Sequence, residues 1–133
     1  MRFIDKIILH CADTRTNQNF SVDQVRDWHL QKGWSNIGYH YYIKLNGSLY
    51  DGRPISQKGA HCKGYNYGSV GICLEGGNND NGDMWDKPTE SQISTLKKLV
   101  YSLRKDYGDL TLHGHYEFSK KTCPNFDVCI LNL

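Results

Sequence analysis

The chain carries no surplus of charge of either sign: 16 Lys and Arg stand against 14 Asp and Glu. That near balance removes any general electrostatic case for nucleic acid or a membrane surface as a partner. Long apolar runs are also missing. No stretch approaches the length needed to cross a bilayer, so membrane insertion is not expected. The opening MRFIDKIIL breaks its apolar residues with charges and is no signal-peptide hydrophobic region. Cysteine numbers five, which is odd, and with no export signal the thiols are expected to be reduced. Cys11 and Cys73 fall in or at the end of apolar runs, where cysteine serves as a small buried hydrophobe. Repeats, low-complexity tracts and linkers are absent, so residues 1–133 read as a single domain. A domain of this size buries about two thirds of the surface its unfolded chain would expose and needs no staples.

What is present is concentrated between Leu112 and Asp127, LHGHYEFSKKTCPNFD, with two His, two Lys and a Cys ahead of a Pro. His113 and His115 lie two apart, so on a strand both imidazoles would share a face. Cys123 follows after a stretch long enough for a loop to return its thiol toward an imidazole. Neutral His nitrogens and a Cys thiolate suit Zn²⁺, and a third protein ligand plus water would make an open, catalytic site. His10 is the candidate for that third ligand. The spacing leaves a second possibility open, in which Cys123 is a nucleophile paired with a His.

In chain order, Phe3 to Cys11 is a near-continuous apolar strand of the kind found at the centre of a sheet, and it delivers His10 at its C-terminal end. Ligands of open α/β sheets gather at such ends. Ser21 with Gln24 predicts a capped helix whose apolar face carries Val22, Val25, Trp28 and His29, ended by Gly33. Ile37 to Leu45 is expected as a strand, Asn46-Gly47 as a hairpin turn, and Ser48 to Gly52 as the antiparallel return. Alternation puts Tyr39, Tyr41 and Ile43 on one face and His40, Tyr42 and Lys44 on the other. Arg53 to Ser69 is a long loop without periodicity, and loops of this length in compact domains are usually functional. Val70 to Leu74 is a short buried strand. Thr89 and Gln92 form a second capping box, and Ile93, Leu96, Leu99, Val100 and Leu103 trace a helical stripe to Tyr107. Leu110 to His115 is the last strand. Strands alternating with two helices argue for an α/β fold in which helices layer a sheet.

Four blocks now stand in order: ILHCADT around His10, VRDWHLQKGWSNIGYHYYIKLNGSLYDGR from Val25 to Arg53, GAHCKGYNYGSVGICLEGG from Gly59 to Gly77, and HGHYEFSKKTCPNFD from His113 to Asp127. Together they span nearly the whole chain and resemble the zinc-dependent N-acetylmuramoyl-L-alanine amidases. The resemblance implies a central mixed β-sheet flanked by α-helices, the fold shared by T7-type phage lysozymes and peptidoglycan recognition proteins.

The same resemblance implies Zn²⁺ on His10, His115 and Cys123, because the family's second His precedes its Cys by eight positions, which leaves His113 outside. It implies catalytic roles for Tyr39, toward the attacking water, and for Lys121, toward the developing oxyanion. Glu117, the other carboxylate close in sequence, is the rival general base. His61 is expected to line the groove that takes the glycan or stem peptide, and His29 and Trp34 to be structural. The implied reaction is hydrolysis of the amide between N-acetylmuramic acid and L-alanine in peptidoglycan, with muropeptides as partners and the protein acting as a monomer. Without an export signal, the expected location is the cytoplasm until release to the cell wall, or export by a non-classical route. Relatives usually run on into a further helix, which Leu133 does not reach. A non-catalytic peptidoglycan-binding module of the recognition-protein type is the alternative. Such modules generally replace the Cys ligand, so Cys123 favours the enzyme.

Overall fold

The computed structural model describes residues 2–133. Seven strands and two helices follow in the order β1 (Lys6–Cys11), β2 (Thr14–Arg15), α1 (Val22–Gln31), β3 (Tyr41–Ile43), β4 (Leu49–Asp51), β5 (Ser69–Leu74), β6 (Gly77–Asn78), α2 (Glu90–Tyr107) and β7 (Thr111–Gly114). Two 3-10 turns, His115–Glu117 and Val128–Leu131, complete the chain.

The main sheet has the order β4-β3-β5-β1-β7 and is mixed: β1 runs parallel to both β5 and β7, β3 parallel to β5, and β4 antiparallel to β3. The apolar run of β1 therefore sits inside the sheet, as expected of a strand covered on both faces. Its odd positions, Ile7, Leu9 and Cys11, join Val70, Ile72 and Leu74 of β5 and Ile43 of β3 in the larger core. The helical stripe Leu96, Leu99, Val100 and Leu103 of α2 closes over them. The opposite face is smaller. Val25 of α1 packs there with Ile37, Tyr42 and Cys73, and His10, paired in register with Cys73, belongs to it. The functional side chains thus occupy the thinly covered face, at the C-terminal edge of the parallel strands.

Both helices start where their caps dictate. Ser21 Oγ accepts from Gln24 N–H while the Gln24 side chain accepts from Ser21 N–H, and Thr89 with Gln92 repeats the arrangement. Gln92, fully buried, also donates to the carbonyls of Ile43 and Glu75, tying the start of α2 to β3 and β5.

Four expectations change. The strand expected over Ile37 to Leu45 is regular only from Tyr41 to Ile43. Ahead of it the backbone squeezes between other segments: a Cβ on Gly38 would lie 2.1 Å from the Ala60 carbonyl oxygen, and one on Gly52 2.3 Å from that of Tyr39. Alternation fails across this bend, so Tyr39 shares a face with Tyr42 rather than with Tyr41 and Ile43. At the other end, β7 stops at Gly114 and His115 opens a 3-10 turn, so His113 and His115 do not share a strand face. Trp28 of α1 is largely outside the core and meets the edge of Phe20. Beyond these, the short segments Thr14–Arg15 and Gly77–Asn78 pair as β2 and β6 in a small parallel sheet, pinned where Asn125 donates to the Gly77 carbonyl.

Candidate metal centre

His10, His115 and Cys123 each offer a ligand atom, and these atoms all lie within 4.8 Å of one another. Three different elements supply them. His10 is the next-to-last residue of β1, His115 follows directly on β7, the neighbouring parallel strand, and Cys123 sits on the loop beyond. The loop is held from several sides: Tyr116 N–H donates to the Cys123 carbonyl, Trp85 Nε1–H to the Pro124 carbonyl, and Asn125 Nδ2 to the Gly77 carbonyl. Cys11 N–H donates to Cys123 Sγ at 3.3 Å, and His10 Nδ1 lies 3.8 Å from the same sulfur. The rings of His10 and His115 are 4.6 Å apart between centroids.

The electrostatics prepare the donors. Burial is the main cause that pushes the His10 pKa down, so its imidazole is neutral at neutral pH. The Cys123 thiol is pulled the other way from a buried cysteine's usual rise. The hydrogen bond with the Cys11 side chain is the largest cause and, against the rise that burial imposes, holds its pKa below the ordinary thiol value, while that of Cys11 rises through the same bond. Two imidazoles and one thiolate form the donor set of an open tetrahedral metal site, so these residues fit a metal ion such as zinc.

Above the cluster lies a groove of about 600 Å³, walled by Tyr39, His29, Trp34, Lys121 and Asn125. It continues into a second pocket of about 430 Å³ beside the loop from Cys62 to Asn66. Tyr39 packs at a tilt between two imidazoles, its ring 5.0 Å from that of His10 and 5.3 Å from that of His29. Burial, then the neighbouring thiols, raise the Tyr39 pKa well above its ordinary value, so its phenol keeps its proton. Lys121 stands exposed on the rim shared by both pockets. His29 accepts from Gly38 N–H at 2.8 Å, and its pKa is pushed down to about 4, chiefly by burial. Trp34 packs on His29 and carries Lys32 over its ring at 5.3 Å.

Two other candidates, His113 and Glu117, lie apart from the cluster. His113 bonds Thr111 and Glu117 instead, its Nδ1 being 2.9 Å from Glu117 Oε1. The second oxygen of Glu117 accepts from Gly114 N–H, so both carboxylate oxygens are engaged away from the groove. His61 borders both pockets, yet is 91% covered by protein on its residue surface, exposing 9%. Its Nδ1 meets His10 Nε2 at 2.8 Å and its Nε2 meets Ser69 Oγ at 3.2 Å. Ser69 was not singled out by sequence reasoning; no local pattern distinguishes a serine that acts through a partner eight residues away. The buried carboxylate of Glu75 was missed likewise. It accepts from the N–H groups of Phe20 and Leu45 and serves the scaffold.

The sequence profile of the N-acetylmuramoyl-L-alanine amidases matches residues 1–126. The chain is 40% identical over 124 residues to the endolysin of Escherichia phage T7, a match covering 93% of this chain and 82% of that protein. It is 32% identical over 131 residues to peptidoglycan-recognition protein SC1a of Drosophila melanogaster, covering 92% and 68% respectively. Among solved structures, the N-acetylmuramoyl-L-alanine amidase LysC from Clostridium intestinale superimposes with a TM-score of 0.85 at 30% identity, over 98% of this chain and 84% of that one.

Proposed function

The chain belongs to the N-acetylmuramoyl-L-alanine amidase family, and from that footing we propose that it hydrolyses the amide joining the lactyl group of N-acetylmuramic acid to L-alanine in peptidoglycan, using Zn²⁺ held by His10, His115 and Cys123. The observation that carries the reading is the convergence of those three ligand atoms within 4.8 Å beneath an open groove in a member of this family. One copy supplies the whole set from a single sheet and its loops, so the reaction needs no partner subunit. Among the described residues no helix is long and apolar enough to cross a membrane. The enzyme acts in the wall once released to it.

Bound zinc would supply a nucleophilic water at neutral pH and polarise the scissile carbonyl. The chain's own groups do the rest. His10 presents a neutral nitrogen, His115 a second imidazole and Cys123 a thiolate. Tyr39, protonated and beside His10, holds a hydroxyl that can hydrogen-bond the attacking water and orient it. Lys121, on the rim, offers an ammonium to charge developing on the substrate oxygen, a contribution of about 3 kcal/mol for a donor of this kind. Glu117, engaged by His113 and Gly114, is not placed to act as base. His61 and Trp34 line both pockets, along the seam where the stem peptide would run.

Digestion of purified peptidoglycan, read by mass spectrometry, tests this directly. Stem peptides with a free L-alanine N-terminus should appear beside intact glycan, stop with a strong chelator and return with zinc. Glycan cleavage, or release unaffected by the chelator, would overturn the assignment; binding without release would make the protein a recognition module.

A further inference from the structure

We propose that His61 and Ser69 form a one-way hydrogen-bond relay that fixes the tautomer of His10, leaving its Nδ1 lone pair as the one that faces Cys123. The direction can be traced from the far end. The Tyr65 carbonyl can only accept, and Ser69 Oγ lies 2.7 Å from it, against 3.2 Å from His61 Nε2. A hydroxyl has one proton, so Ser69 spends it on Tyr65 and its oxygen must accept from His61 Nε2–H. Neither the His61 nor the His10 ring has a carboxylate partner among the described residues, and a buried imidazole without a counter-charge stays neutral. With its proton on Nε2, His61 has a bare Nδ1, which accepts from His10 Nε2–H at 2.8 Å. The remaining nitrogen of His10 then carries only a lone pair, 3.8 Å from Cys123 Sγ.

The fold seats the relay by shape as well. A Cβ on Gly71 would lie 2.6 Å from His61 Cγ and Cδ2, and one on Gly59 2.5 Å from Cδ2, so the imidazole occupies a slot that only glycine leaves open on either side. Asn66 Oδ1 accepts from the N–H groups of both His61 and Cys62 and anchors the backbone. Metal-binding imidazoles commonly donate their second N–H to a carboxylate, a carbonyl or water. A neutral imidazole takes that place here, and a backbone carbonyl two bonds further on sets its direction. His61 is therefore a positioning residue, both of its nitrogens being committed away from the groove.

The relay rests on the zinc reading above, and the two can be separated. Zinc affinity, measured by competition with a chromogenic chelator, should fall about 10- to 100-fold in His61→Leu. It should recover largely in His61→Asn, whose Oδ1 replaces Nδ1 as acceptor. Ser69→Ala, a smaller change to the fold, should weaken zinc binding and turn the ¹⁵N ring pattern of His61 into a tautomer mixture. In the wild type, ¹⁵N spectra should show His10 protonated on Nε2. Equal affinities across these variants, equal losses in His61→Leu and His61→Asn, or a proton on His10 Nδ1 would overturn the relay while leaving zinc binding in place. Wild-type protein that binds no zinc would remove both.

Discussion

Acid should destabilise this protein through His40, a residue with no part in the chemistry. His40 is 1% exposed, accepts from Gly71 N–H at its Nδ1 over 3.0 Å, and reaches the Gln57 carbonyl from Nε2 over 2.8 Å. A neutral ring satisfies both bonds; protonating Nδ1 would set one N–H against another. Burial is the main cause that holds its pKa down to about 4; the Gln57 bond pulls it up, while Arg2 and Arg53 add to the depression. In the unfolded chain a histidine titrates near 6.5. Between those values the unfolded state holds a proton that the folded state lacks, so stability is full above pH 6.5 and is lost as pH falls toward 4. At about 1.4 kcal/mol per pH unit the interval amounts to an upper figure of about 3 kcal/mol, a large part of the roughly 5–15 kcal/mol that stabilises a domain. The perturbation is His40→Asn, which keeps an acceptor for Gly71 and removes the titration. Urea unfolding of both proteins at pH 7.5 and pH 4, with chelator present so that metal-linked terms drop out, reads the difference. The wild type's advantage over the variant should shrink by about 3 kcal/mol across that range. Parallel pH curves would refute the reasoning.

Removing zinc with a chelator should abolish turnover and lower the melting temperature, since a ligand bound only by the folded state stabilises it by about 2.7 kcal/mol at a hundred times its dissociation constant; an unchanged melting curve would count against a folded-state metal site. His115→Ala should lose about one equivalent of zinc by elemental analysis, whereas His113→Ala, which breaks only the Glu117 and Thr111 bonds, should keep it. Tyr39→Phe and Lys121→Ala should each retain zinc and lose about two to three orders of magnitude in kcat, with Glu117→Gln much milder. Near-normal steady-state rates in Tyr39→Phe would remove the tyrosine from the reaction. Gln92→Leu should cost about 2–4 kcal/mol in denaturant unfolding, because two buried carbonyls and the Thr89 N–H lose their partner together.

Much of the scaffold was legible in the sequence because it is settled within a few residues. Ser21 with Gln24 and Thr89 with Gln92 start their helices through bonds three residues long. Asn46-Gly47 turns β3 into β4, Gly47 taking a positive φ of 88°. The unbroken apolar run around Ile7 to Leu9 could only be a strand covered on both faces, and that alone put His10 at the edge where parallel strands end.

The tertiary structure decided what the site residues do with one another. Two histidines spaced for a common strand face were separated because the chain turns at Gly114 and Glu117 folds back onto His113. Tyr39 left its expected alternation because a bend, set by the close passage of Gly38 under Ala60, turned it toward His10. The hydrogen bond from His10 to His61 joins residues 51 apart, and the direction of that bond depends on Ser69 and on the carbonyl of Tyr65. Helix caps and hairpin turns are local equilibria that a short segment settles by itself. Which nitrogen carries a proton, and which face a tyrosine shows, depends on partners that only the closed sheet brings within bonding distance.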